Sequence, residues 1–133
     1  MTRAFLDSNV ILYYYTSNEI SKAQLAGEVR LRSDAIISTQ VLSECCNVLS
    51  KKRQYSWIEI QRVISEIIDL FSIETVSVTT IGKAIELAQR YHYSYYDSLI
   101  LASAIEANCS TLYSEDFQHN QLIEGVRIIN PFL

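Results

Sequence analysis

Apolar positions along this chain fall into two patterns: short unbroken runs, and longer stretches spaced three and four apart. Residues 3–7 read as a short buried strand that ends in an acid, Asp7. Residues 10–15, Val-Ile-Leu-Tyr-Tyr-Tyr, fit strand or helix by pattern alone. Ser21 with Gln24 three positions on has the form of a capping box and predicts a helix to about Leu31. Residues 35–38 predict a second strand. Residues 39–51 predict a helix with Val41, Leu42, Cys45, Val48 and Leu49 on its apolar side. Ser56 and Glu59 form another capping box, after which Trp57, Ile60, Ile64, Ile67, Ile68 and Phe71 mark one helix face. Residues 74–78 predict a brief strand. Thr79 or Thr80 opens a helix ending near Arg90, and Ser94 with Asp97 opens another that runs to about Ala107. Residues 111–114 and 126–130 predict the last two strands, with Pro131 as the stop.

Short apolar strands separated by helices predict an α/β fold whose parallel sheet is covered on both faces. Such sheets bind ligands at the carboxyl ends of their strands, where strand order reverses. The 133 residues fit one domain over 1–133, long enough to bury roughly two-thirds of the unfolded chain's surface. Three glycines and one proline leave little room for special turns, which favours helices with short connections.

The net charge of −4 runs against bulk attraction to nucleic acid, so any phosphate contact must come from local basic residues or a bound cation. Three cysteines, of which Cys45 and Cys46 are adjacent, suit reduced thiols in the cytoplasm and not a zinc site of ordinary spacing. The N-terminal residues lack the apolar stretch of a signal peptide, and no apolar run approaches the ~18 residues that cross a bilayer, so no membrane association is expected.

Four acids stand where chemistry belongs. Asp7 ends the first strand and Asp116 follows the strand at 111–114, although acids also follow strands as ordinary turn residues. Glu44 shares a helix face with Val41, Cys45 and Val48, where a carboxylate is costly unless paired, bound to a cation or able to reach water. Asp97 lies above an apolar stripe of Ile100, Leu101, Ala104 and Ile105, and capping alone would also explain it. Taken together, several carboxylates at one sheet edge repel each other, and a divalent cation would make the arrangement favourable. Oxygen-only ligands suit magnesium or manganese.

The segment Phe-Leu-Asp-Ser-Asn-Val-Ile-Leu-Tyr at 5–13 resembles the opening of a PIN domain. Gln-Val-Leu-Ser-Glu at 40–44 is similar to that family's second acid at the head of a helix. Tyr-Tyr-Asp-Ser-Leu-Ile-Leu-Ala-Ser-Ala at 95–104 resembles its third motif, Leu-Tyr-Ser-Glu-Asp-Phe at 112–117 its fourth, and Ile-Ile-Asn-Pro-Phe at 128–132 its close. The order and spacing run over essentially the whole chain, and its length is most like the VapC-type toxins of bacterial toxin–antitoxin pairs. The resemblance implies a three-layer α/β/α sandwich with a central five-stranded parallel sheet. It implies metal-dependent endonuclease action on RNA with Mg2+ or Mn2+, with Asp7, Glu44, Asp97 and Asp116 at the acidic positions. Asn9 and Ser114 match the polar residues that support the first and fourth acids; Ser114 stands where threonine is more usual. Glu115 is an extra candidate ligand. The partners implied are an RNA substrate and a small antitoxin protein that places an arginine or lysine among the acids. The apolar helices and tyrosines suit a homodimer.

Other residues draw the eye. Lys51, Lys52 and Arg53 form a basic run that suits phosphate, but it also ends a helix, where cations offset the dipole, and this second role is favoured. Nine tyrosines, clustered at 13–15 and 91–96, suit core or interface more than base stacking. His92 and His119 lack partners at motif spacing and read as surface or turn residues. A PIN-like module that binds RNA or protein without cutting, and a non-toxin RNA-processing nuclease, remain open alternatives. So does an unrelated phosphoryl-transfer domain, although the second aspartate of an aspartate-nucleophile phosphatase is here Asn9 and no glycine-rich phosphate loop is present.

Overall fold

A computed structural model describes residues 3–16, 19–32 and 34–133. The order of elements is β1 (Arg3–Leu6), α1 (Ser8–Thr16), α2 (Ile20–Arg32), β2 (Asp34–Ser38), α3 (Thr39–Lys51), α4 (Trp57–Leu70), β3 (Ser72–Glu74), α5 (Val78–Tyr91), α6 (Tyr95–Glu106), β4 (Thr111–Tyr113), β5 (Leu122–Ile123) and β6 (Val126–Ile129). The strands form one six-stranded sheet in the order β3-β2-β1-β4-β6-β5. Five pair in parallel, as expected, and β5 adds a short antiparallel edge.

The chain builds outward from β1 to β2 and β3, then returns to place β4 on the other side of β1. Right-handed crossovers put the helices of these two movements on opposite faces. The contacts agree: α1 packs on α2 and α3, α3 packs on α4, and α5 packs on α6. Strand order therefore reverses between β1 and β4, and their carboxyl ends lie side by side, with the Asp7 amide donating to the Tyr113 carbonyl at 3.0 Å. The core is apolar strand against apolar helix. Phe5, Leu6, Ile36, Ile37, Leu112 and Ile128 are fully buried in the strands. The α6 helix is buried all round from Ser98 to Ala104, which accounts for its lack of a polar face.

Local sequence chemistry sets most boundaries. Both halves of the Ser56–Glu59 capping box form at α4, and Ser77 with Thr80 forms another at α5, starting that helix earlier than expected. Residues 10–15 are helical, because α1 lays Val10, Ile11 and Leu12 against the core. Ser21 does not cap α2. That helix already begins at Ile20, and the Glu19 carbonyl accepts from Ala23 at 3.1 Å. The strand expected at 74–78 lies earlier, at Ser72–Glu74, where it pairs with β2. The β5–β6 hairpin was not expected. It turns on Glu124 and Gly125, both with positive φ, as a two-residue type I′ turn requires. Lys83 on α5 holds this turn through Glu124 at 2.8 Å. The predicted apolar face of α4 is buried at Ile60 and Ile67 but not throughout: Trp57 is 72% exposed and Ile68 is exposed. Met1 and Thr2, on which the expectation about a signal peptide partly rests, lie outside the described residues.

Candidate active site at the carboxyl ends of β1 and β4

Asp7 follows β1 directly, is 3% exposed, and sits at the reversal of strand order. A carboxylate this deep loses its water and needs other donors. The Ser8 amide donates to Oδ1 at 2.7 Å and the Ser114 hydroxyl to Oδ2 at 2.7 Å. These bonds do not offset the lost hydration. Burial pushes the Asp7 pKa up to about 7, against the pull of Ser114 and Ser8, and the nearby charges of Glu44 and Asp116 push the same way.

Ser114, itself fully buried just after β4, joins the first and fourth acids. While donating to Asp7 it accepts from the Asp116 amide at 3.1 Å, and the Asn9 amide approaches it at 3.5 Å. Asn9 reaches Asp116 directly, Nδ2 to Oδ2 at 2.9 Å. The hydroxyl at position 114 performs this bridging, so serine in place of the more usual threonine keeps the contact. Asp116 is exposed and faces solvent at the rim.

Glu44 lies on α3, half-buried beside Cys45 and Val41. Ser8 donates to its Oε1 at 3.2 Å, and Gln40, one turn earlier, approaches its Oε2 at 3.5 Å while donating to the Tyr96 carbonyl at 3.0 Å. Gln40 thus ties α3 to the start of α6 across the sheet edge. Burial raises the Glu44 pKa, against Ser8 and Gln40, with Asp97 and Asp116 adding repulsion. Asp97 is also raised, first by burial and then by Asp116, with the Ser94 hydroxyl opposing. Its capping explanation is only half right. Ser94 accepts from the Asp97 amide at 3.2 Å, but no bond returns from the Ser94 amide to the Asp97 carboxylate among the described residues.

The structure therefore brings the four predicted acids to one sheet edge, where Glu44 and Asp116 repel Asp7, and Asp116 also repels Glu44 and Asp97, with Asn9 and Ser114 between the first and fourth. Ser8 and Gln40 escaped the sequence reading. The available signal was position: Ser8 directly follows Asp7, and Gln40 lies four residues before Glu44, one helical turn. Glu115 points elsewhere. Its carboxylate accepts from the Tyr13 hydroxyl and pairs with Lys22 at 3.8 Å, so it is held away from the cluster. His92 is the left-handed C-cap of α5, and His119 accepts from the Asn130 amide, which bears out their reading as turn and surface residues. Tyr13, Tyr15, Tyr91 and Tyr93 pack against the core, while Tyr95 and Tyr96 are exposed.

Among the described residues, no three His, Cys, Asp or Glu side chains stand in an arrangement that would hold an ion by themselves. The donor set suits an ion that keeps several waters and takes one or two carboxylates, as magnesium does. The buried amide oxygens of Asn9 and Gln40 flank the site and have no donor among the described residues. Two recesses open here. One of about 550 Å³ lies between α1 and the end of α3, and one of about 420 Å³ is lined by Ser8, Gln40, Glu44 and Tyr96.

The PIN domain family profile matches residues 4–123. No curated protein sequence matches the chain significantly. Among solved structures, a toxin–antitoxin complex from Klebsiella pneumoniae is similar at a TM-score of 0.72 and 21% identity, covering 96% of this chain and 97% of that one. VapC20 of Mycobacterium tuberculosis, a sarcin-ricin loop cleaving toxin, is similar at 0.68 and 16%, covering 85% and 89%. DNA-bound VapBC from Salmonella typhimurium is similar at 0.65 and 18%, covering 96% and 97%.

Proposed function

The chain belongs to the PIN domain family, and from that premise we propose that it is a metal-dependent endoribonuclease, the toxin of a toxin–antitoxin pair. The observation that carries this reading is the buried Asp7 at the reversal of strand order, fixed by Ser8 and Ser114 and repelled by Glu44 and Asp116. A site that holds like charges together at the cost of their pKa values is built for function, not for stability. The reaction is hydrolysis: a water oxygen attacks phosphorus, the bond to the leaving oxygen breaks, and the products are a phosphate monoester and an alcohol. Asp7, Glu44, Asp97 and Asp116 would hold Mg2+ or Mn2+, one or two of them directly and the others through water. Bound there, the ion would supply positive charge for the phosphate and activate water for the attack. Ser114 and Asn9 link Asp7 to Asp116 by hydrogen bonds, and Ser8 links Asp7 to Glu44.

The partners follow from the same reading. The similarity to toxin–antitoxin complexes supports a small antitoxin protein, and a lysine or arginine from it among the carboxylates would replace the metal's charge. VapC20, as a sarcin-ricin loop cleaving toxin, supports RNA as the substrate class. Exposed apolar side chains on α4 and α5 support a homodimer. No helix among the described residues is long and apolar enough to cross a membrane, and a cytoplasmic site of action fits the three free cysteines.

The deciding experiment incubates the purified chain with RNA in magnesium or manganese and in chelator, beside Asp7→Asn. Wild type should cut only with metal. The variant should lose about a hundredfold or more, beyond the ten- to hundredfold typical of a residue that merely supports a ligand. Equal cutting by both proteins, or cutting in chelator, would refute the assignment.

A further inference from the structure

The basic run at the end of α3 is divided by the fold. Lys52 and Arg53 line the larger recess, together with Ser8, Asn9, Tyr13, Val48 and Asp116. Lys51 lines a different one, with Ser43, Cys46 and Trp57. The three consecutive cations therefore do not form one patch. Two of them line the groove that opens at Asp116, and the third lines a separate recess that holds none of the four acids.

Capping does not use these two charges fully. The backbone amides of Lys52 and Arg53 already satisfy the Val48 carbonyl, at 2.9 and 3.2 Å. Their side chains are exposed and make no ion pair among the described residues, whereas Lys22 and Lys83 both do. In a protein of net charge −4, two unpaired cations at one end of a groove and a carboxylate cluster at the other form a strong local field. Glu44 and Lys52 are eight residues apart on α3 and its cap, which is ~12 Å along the axis. A single strand carries one phosphate per ~3.4 Å when stacked, and fewer when stretched, so this distance spans roughly two to four nucleotides. The groove also offers Tyr13, whose hydroxyl is held by Glu115 and whose ring is covered by Lys22 at 4.4 Å, as a fixed wall.

We propose that Lys52 and Arg53 bind the phosphates that flank the cleavage point, holding single-stranded RNA along the groove from Asp116 to the end of α3. This rests on the reading of the acids as an RNA-hydrolysing site and deepens it. The cations do not touch the reacting phosphate. They are positioning residues that set the direction of the strand and supply the local attraction that an acidic protein otherwise lacks.

The test measures binding of a labelled 12-nucleotide oligouridine to Asp7→Asn, with magnesium, over a range of salt. The Lys52→Ala, Arg53→Ala pair in that background should weaken binding about tenfold. It should also flatten the plot of log affinity against log salt by about 1.4, since each lost single-strand phosphate contact removes ~0.7. Lys51→Ala removes one charge from the neighbouring recess and should leave affinity and slope nearly unchanged, whereas Lys52→Ala alone, also one charge, should flatten the slope by ~0.7. In the otherwise wild-type chain, the pair should raise KM for a long RNA several-fold with kcat little altered. Lys52→Glu with Arg53→Glu should have a larger effect in the same sense. If the pair changes neither slope nor KM, or if Lys51→Ala does as much, the proposal is wrong and attraction is unlocalised. If the wild-type chain neither binds nor cuts RNA, the nuclease reading falls and this proposal with it.

Discussion

Asp7 shows how a single buried carboxylate reports on a site. Its pKa rises from 3.8 to about 7 because folding removes its water, and two hydroxyl- or amide-to-carboxylate bonds do not restore the loss. The folded metal-free chain therefore holds a proton that the unfolded chain has released between those values. Stability is fully present below about pH 4 and is lost as pH rises through about 7. Glu44 and Asp97 shift in the same direction and add to the slope. Asp7→Asn keeps the shape without the charge. In chelator at pH 8 it should be more stable than wild type, by at most ~4 kcal/mol at 1.36 kcal/mol per unit. The two proteins should converge as the pH approaches 4. Urea unfolding of both across this range is the measurement, and a variant less stable than wild type at pH 8 would mean that Asp7 has a stabilising partner in the apo chain. Metal binding should release this proton, so affinity should climb with pH through neutrality.

At the scale of elements, α6 carries two signals at one end. Ser94 caps the helix, and Asp97, three residues on, looks like the other half of the box. Only the first is used for capping. Ser94→Ala should cost about 1 kcal/mol, as loss of an N-cap does. Asp97→Asn in chelator at neutral pH should leave the chain at least as stable as wild type, because the charge it removes is disfavoured in the fold, while removing most cleavage. The opposite pattern in urea titrations, with Asp97 the costly change, would return that acid to a capping role. The α4 and α5 capping boxes, with N3 residues Glu59 and Thr80, form in full by contrast.

For the whole molecule, the unexplained surface is apolar. Val78 is 86% exposed, and Ile81 and Ile85 continue the same stripe along α5. On α4, Trp57 and Ile58 are exposed as well. Each of these apolar stretches, on its own face of the sheet, suits burial against another chain. The protein should be a dimer at micromolar concentration by light scattering. Ile81→Glu with Ile85→Glu should yield a folded monomer, because both positions face solvent in the single chain. A wild-type monomer at that concentration would count against the dimer and leave the site unaffected.

The sequence by itself determined the alternation of strands and helices, the caps of α4 and α6, and the four acids in order. These are local: periodicity, side-chain-to-backbone bonds over three residues, and motifs read within a few positions. Where two local solutions were close in energy, tertiary packing chose. Residues 10–15 became helix because α1 must cover the end of the sheet, and the edge strand β5 formed because β6 offered it an unpaired partner. The role of each acid was beyond local reading too. Burial of Asp7, the bridge through Ser114, and the divided facing of Lys51 from Lys52 and Arg53 depend on which elements meet at the carboxyl ends of β1 and β4. A hydrogen bond between residues 107 positions apart, as between Ser114 and Asp7, exists only after the sheet has brought those strand ends together.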